Sequence, residues 1–369
     1  MTGKPDVLII GAGISGLTIA ERCATVLGKK VLVIEKRDHI GGNCYDFYNE
    51  DGIQVSKYGA HLFHTNYDDV WEYVQKFSAW RPHTHKVLSF VDGKLVPIPV
   101  NIDTVNILFG LNLNEESMKS WLEENQIKID NPKNSEEMAL SRIGRVLYEK
   151  MIKNYTYKQW DMWPSELDAS VLARIPVRFT HDDRYFNDTY QSQPVDGFTK
   201  LFDNMANNPN IEIQCSTDYF EIKDSLPKVE KIFYTGPIDG YFDKTDTSEK
   251  LQYRSLRFEW ETVDRPYYQN NSVINYPNDY EYTRIVEYKH ITKQVAKKTT
   301  VSREYACWDG EPYYPVPNPE NQKIYDKYRV EAEKLHEIYF VGRLANYKYF
   351  NMDQAFKNAL DLFKGLNRS

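Results

Sequence analysis

Cysteine is scarce: Cys23, Cys44, Cys215 and Cys307 lie far apart, with no CxxC pair among them. That spacing excludes a dense disulfide framework and paired-thiolate zinc sites, and it fits a reducing compartment. No HExxH pattern occurs, and His83 and His85 stand apart from His61 and His64, so no metal site is expected. Long apolar runs are missing too. Nothing approaches the roughly 20 residues a membrane helix needs, and the first residues lack a charged-then-apolar signal pattern. A soluble, cytoplasmic protein without a membrane span is the expectation. Positive charge is also short, with 46 Lys and Arg against 53 Asp and Glu and a net charge of -7. A generalised basic surface for nucleic acid is thereby excluded, and any anionic ligand must be held by a few local cations.

What the sequence does have is ordinary globular composition, 41% hydrophobic and 27% charged, in a chain of 369 residues that is long enough for two or three compact units. It also has 28 Tyr and 7 Trp, which can supply flat surfaces with polar tips suited to sugars and bases. Val7 to Ile10 is a short apolar run, residues 14 to 27 carry apolar positions at helical intervals, and residues 30 to 35 form a second β-rich run. The opening therefore reads strand, glycine turn, helix, strand.

Gly11-Ala12-Gly13-Ile14-Ser15-Gly16 falls on that turn. The first glycine permits the turn, the second lets backbone approach a pyrophosphate, and the third allows close helix packing. The amides at the helix start then face the anion. Glu35 ends the second strand 19 residues after Gly16, where a carboxylate can accept hydrogen bonds from a ribose diol. Together these features indicate a dinucleotide site, with FAD or a nicotinamide as its occupant. Glu35-Lys36-Arg37 followed by Gly41-Gly42-Asn43 resembles the extended fingerprint of the amine-oxidase and disulfide-reductase flavoproteins, which favours FAD. Val341-Gly342-Arg343 before a helix is similar to their C-terminal flavin motif.

Residues 101 to 166 read mainly as helix, with Ile143, Leu147 and Met151 four apart, and residues 112 to 134 are polar and solvated. Residues 165 to 185 show no sustained periodicity and read as a connecting loop able to move. Residues 251 to 305 alternate aromatic, charged and β-branched side chains, as in LQYRSLRFEW, and read as antiparallel sheet. Residues 338 to 341 and 352 to 363 return to the opening style of strand and helix. The expected fold is α/β: a Rossmann-like FAD-binding domain with an inserted helical domain and an antiparallel β-sheet domain. Its expected pieces are 1–85, 196–250 and 315–369 for the FAD-binding domain, and 101–180 for the helical substrate domain, with its mobile loop near 165–185. The sheet domain takes 86–100, 181–195 and 251–314.

The segments GGNCYD, YGAHLFHT, NYTYKQW, YTGPID and VGRLANYKYFNMDQA, with the stretch around Arg174, together resemble the bacterial UDP-galactopyranose mutases, in matching order over most of the chain. The resemblance implies interconversion of UDP-galactopyranose and UDP-galactofuranose by attack of the N5 atom of reduced FAD on the anomeric carbon. It implies a nucleotide-sugar substrate, an electron donor for the flavin, and a homodimer. Arg174 and Arg284 match the two arginines expected to clamp the diphosphate, and Arg is chemically apt because it bonds phosphate in a bidentate manner. Tyr185, Tyr314 and Tyr349 match phosphate-contacting tyrosines. Tyr155 and Trp160 match residues lining the nucleotide and sugar pocket, and Asn270 is a further implied substrate contact. His61 and His64 belong to the cofactor set, with His64 placed near the flavin ring and given a catalytic role, and Met352 closes that set. Two positions depart from the family pattern: Met151 replaces a base-stacking aromatic, and Asn351 replaces an acid. A mutase of the same type acting on dTDP-fucose or UDP-N-acetylgalactosamine therefore stays open, as does an amine-oxidase-type flavin oxidoreductase.

Overall fold

The computed structural model describes residues 4–173, 175–242 and 249–367. Its first unit is βαβ: strand β1 (Val7–Ile10), helix α1 (Ile14–Leu27) and strand β2 (Val31–Ile34). Both strands are buried at every position, which is why each is a continuous apolar run rather than an alternating one. They sit within a five-stranded parallel sheet whose order is 211–214, β2, β1, 231–234, 338–340. Chain order reverses at β1, so a crevice opens beyond its C-terminal end, where parallel α/β sheets bind ligands. Helix α1 packs between this sheet and the closing helix Met352–Leu366, through Leu17, Ile19, Ala20, Phe356, Ala359 and Leu360.

The second sheet has seven strands, ordered Tyr314–Pro315, Tyr253–Val263, Thr299–Cys307, Arg284–Glu287, Val273–Asn275, Val87–Val91 and Lys94–Ile98. It is mixed rather than purely antiparallel, because Val273–Asn275 runs parallel to Val87–Val91. Residues 181–195, expected in this sheet, contribute no strand to it. Tyr190–Pro194 instead lies between Phe63–Thr65 and Trp80–Pro82 in a three-stranded sheet. Alternation is the same for any sheet a strand joins, so periodicity alone could not have assigned this partner. Residues 165–185 also differ from a plain loop. They contain the turn Pro164–Glu166 and the helix Ser170–Ala173. A strap over 178–185 is then fastened by backbone bonds from Arg178 to Val100, from Ile102 to Thr180 and from Tyr185 to His85.

The helical insertion is Ile102–Phe109, Glu115–Asn125 and Ser135–Leu147, each started by an asparagine whose side chain accepts a backbone N–H at the helix entry. The third helix breaks at Gly144, with φ 74° and ψ 173°, a region open essentially to glycine alone. A Cβ there would lie 2.1 Å from the Asn125 carbonyl oxygen. We expect Gly144→Ala to cost about 3 kcal/mol, read as a lower urea midpoint. Beyond the break come a π-helical turn, Tyr148–Lys153, and the helix Asn154–Trp160. Among the described residues no helix is long and apolar enough to cross a membrane.

Candidate functional site

Two cavities meet between the parallel sheet and the mixed sheet. The smaller, about 460 Å³, runs past Gly11, Gly13, Ile14 and Ser15 at the β1–α1 turn. It continues past Glu35 and Lys36 at the end of β2, and past Gly42, Asn43 and Gly342. Gly16 is not on its lining; a Cβ there would sit 1.9 Å from the Gly11 carbonyl oxygen, so this glycine serves turn packing. Gly42 has φ +56°, and a Cβ on it would reach within 2.9 Å of the Gly13 Cα. Two backbones thus form one bare wall, along which a pyrophosphate can lie. The Glu35 carboxylate accepts from the Ala12 N–H at 2.7 Å and the Arg37 N–H at 2.9 Å, which fixes it at the cavity edge with lone pairs to spare. Asn43 accepts from Arg37 at 2.9 Å. The bare wall and the fixed carboxylate fit a dinucleotide.

The larger cavity, about 610 Å³, shares His61, Arg343, Asn351 and Met352 with the smaller one. Arg343 holds this common wall in place: its donors go to the carbonyls of Phe350 and Tyr313, and its guanidinium lies 5.2 Å from the Tyr349 ring centre. His64 lines the larger cavity, and it is His61 that stands on the wall between the two.

The π-helical turn and the helix after it present Met151, Ile152, Tyr155, Thr156, Gln159 and Trp160 to the larger cavity, a stripe at helical spacing. Tyr314 and Tyr349 stack with ring centres 5.3 Å apart, and Trp160 lies 6.4 Å from each. Arg284 projects from the mixed sheet and donates Nε to Glu304 Oε2 at 2.5 Å. Burial opposes its charge, but Glu304, Tyr155 and Tyr314 outweigh that, so its pKa is raised and the guanidinium stays cationic. Burial likewise pushes Tyr155 up to about 12, so it remains a neutral hydrogen-bond donor at working pH. Tyr185 completes the ring of phenols on the lining. The arrangement sets Arg284, with Arg343 on the common wall, among phenol hydroxyls and flat rings, which suits a diphosphate joined to a sugar and a base.

Of the expected substrate contacts, Arg174 lies outside the described residues. Asn270 is exposed on the turn after Tyr253–Val263 and is not on the cavity lining. Asn275, five residues on, does line it, paired in register with Arg284 and 7% exposed, with a side-chain oxygen that lacks a hydrogen-bond partner among the described residues. Sequence reading also passed over His85, Asp188, Glu304 and Asp353, all on the lining. Strand register brings Glu304 opposite Arg284, and no local pattern announces that pairing.

His85 is 5% exposed, its Nδ1 has no partner, and its pKa is lowered to about 3 by burial and then by the positive fields of His83, Arg284 and His64. A histidine kept neutral in the fold but titrating near 6.5 when unfolded contributes stability above pH ~6.5 that is lost as pH falls toward the folded value. We expect a decline on the order of 1 kcal/mol per pH unit below about 6.5, and His85→Phe should flatten that part of the pH–stability curve.

The comparisons with known proteins now decide the family. The model described as GLF, UDP-galactopyranose mutase, matches residues 150–349, and a model for an NAD(P)-binding Rossmann-like domain matches residues 9–77. A probable UDP-galactopyranose mutase of Klebsiella pneumoniae is 37% identical over 96% of this chain and 93% of its own. The chain belongs to the UDP-galactopyranose mutase family. Within that family of isomerases it is also similar to a dTDP-fucopyranose mutase of Escherichia coli, 38% identical over 96% of each chain. A crystal structure of reduced UDP-galactopyranose mutase overlays with a TM-score of 0.76 at 18% identity, covering 99% of this chain and 96% of that one, which shows the shared fold.

Proposed function

We propose that this mutase-family protein interconverts the six-membered and five-membered ring forms of a nucleotide-diphosphate hexose, UDP-galactose in the first reading, with FAD in its reduced form as cofactor. The observation that carries the proposal is the common wall of His61, Arg343, Asn351 and Met352, which brings a dinucleotide cavity against one built around Arg284. When bound, reduced FAD supplies an electron-rich N5 able to displace a leaving group from an anomeric carbon. Gly11, Gly13, Ser15, Glu35, Gly42 and Gly342 would hold it.

The chain's own residues then have three tasks. Arg284, with Arg174, holds the diphosphate and balances its charge as it leaves the sugar and returns. Tyr155, Tyr185, Tyr314 and Tyr349 donate hydrogen bonds to the phosphate oxygens and exclude water. Trp160 stacks on the sugar, and the lining around Met151 and Ile152 takes the base. Held at both ends, the sugar presents its anomeric carbon at one fixed place. A cytoplasmic homodimer and an external electron donor belong to this reading.

Val87, Ile98, Met151, Ile152 and Leu172, apolar residues on the lining of the larger cavity, favour a second substrate reading. A methylated base gains more there than uracil does, so a dTDP-deoxysugar is the alternative substrate. Reduced protein should be incubated with UDP-galactose, dTDP-fucose and UDP-N-acetylgalactosamine in parallel, followed by chromatography. A furanose product formed without an electron acceptor is expected. Stoichiometric consumption of an acceptor with no isomer formed would replace the proposal with an oxidoreductase.

A further inference from the structure

Ring interconversion of this kind moves a proton. In the pyranose O5 is in the ring and O4 carries hydrogen; in the furanose O4 is in the ring and O5 carries it. The C1–O5 bond breaks, the C1–O4 bond forms, and one proton passes from O4 to O5 with no change in electron count. A group that accepts this proton and then returns it must face the sugar. Resting on the mutase reading above, we propose that Asp188 is a positioning residue that holds His64 as its Nδ1–H tautomer, leaving His64 Nε2 turned to the cavity as the acceptor and donor of that proton.

Two contacts fix the imidazole, and a loop network holds the first of them. His64 Nδ1 lies 3.0 Å from Asp188 Oδ2, and against a carboxylate it is the nitrogen that donates. The other Asp188 oxygen accepts from Asn66 Nδ2 at 3.1 Å, while Asn66 Oδ1 accepts from the Thr189 N–H at 2.8 Å. Asp188 therefore cannot turn without breaking the loop's own bonds. The plane of the ring is set by Phe186, stacked 3.6 Å away at 15°. His64, Asn66, Phe186 and Asp188 all line the larger cavity.

The other imidazoles on the lining are built differently. The His61 Nδ1 faces the Gly59 carbonyl at 2.9 Å, and burial followed by the Arg343 charge lowers that ring to about 4. Among the described residues His85 has no carboxylate partner, and it is lowered further, as above. Among the three, His64 alone has an acid on its ring nitrogen. The charged and titratable groups around it are Asp188 just beyond the strap, Asp353 in the first turn of the closing helix, and His85 on the same cavity lining. A carboxylate at Nδ1 offsets the charge that Nε2 gains with the proton, as in other Asp–His pairs.

The test uses the holoenzyme with Asp188→Asn. An amide donates to Nδ1 and forces the Nε2–H tautomer, so kcat is expected to fall on the order of 10²–10³-fold, with KM within about threefold. The acidic limb of the kcat–pH profile should move to lower pH, and Asp188→Glu should recover part of the rate. His64→Gln combined with Asp188→Asn should be no slower than His64→Gln alone. Nitrogen NMR of labelled histidine reads the tautomer directly without turnover: Nδ1–H in the natural protein, Nε2–H in Asp188→Asn. A natural protein protonated at Nε2 would overturn the proposal whatever its activity, as would an Asp188→Asn rate within threefold of the original. Failure of the natural protein to isomerise any nucleotide sugar would end the mutase reading, and with it the proton transfer, while leaving the tautomer to be judged by NMR alone.

Discussion

Replacing Arg284 by Ala is expected to slow isomerisation by roughly 10³-fold and to destabilise the fold by about 3 kcal/mol. The two losses have different origins. The rate falls because one of the two cations of the proposed clamp is gone, so the charge on the leaving diphosphate is less well balanced. The stability falls because Glu304, whose side chain is 1% exposed, is left as a buried carboxylate without its partner. Arg284→Ala with Glu304→Gln should therefore recover most of the stability and none of the rate. Thermal unfolding and single-turnover kinetics on the same preparations separate the effects. An Arg284→Ala protein with the original melting temperature would show that Glu304 finds another partner.

Replacing Gly42 by Val is expected to abolish cofactor retention, lowering affinity by at least 10²-fold. The added Cβ would come within 2.9 Å of the Gly13 Cα, with backbone and not a flexible side chain as the obstacle. The residue also has φ +56°, which a β-branched side chain strongly disfavours. Either the 41–43 turn moves or the turn after β1 does, and both motions fill the bare wall. The protein should purify without visible flavin absorbance and take up none on titration, while circular dichroism reports an intact parallel sheet. Retention of cofactor at the original stoichiometry would mean that the Gly13–Gly42 approach is not what receives the pyrophosphate.

The contrast between these residues shows what sequence could and could not reveal. Gly42 was legible because a glycine turn, a helix start and an acid at a fixed distance are neighbours in the chain, and their local geometry serves one purpose. Helix α1 begins and ends at the bounds that apolar spacing gave, Ile14 and Leu27, for the same reason. The cavity stripe from Met151 to Trp160 was legible as helix, but its aim depends on the break at Gly144 and a π-helical turn, which shift the face without altering the pattern. Long-range register was not legible at all. Asn275 and Glu304 reach the cavity because their strands pair on either side of Arg284–Glu287, and Asn270, five residues earlier, stays on the surface. Asp188 meets His64 across 124 positions by way of a loop that carries no periodicity.

The threading of the chain through its parallel sheet has a consequence for how the protein is made. The last strand, Ile338–Phe340, adds beside residues 231–234, and the wall common to both cavities comes from residues 343 to 352 together with His61. A nascent chain leaving the ribosome carries its glycine turn within the first few dozen residues, yet lacks the common wall until translation is almost finished. On the proposed reading cofactor loading is a late event, and a ribosome stalled before residue 338 would display the glycine turn while failing to keep what it touches.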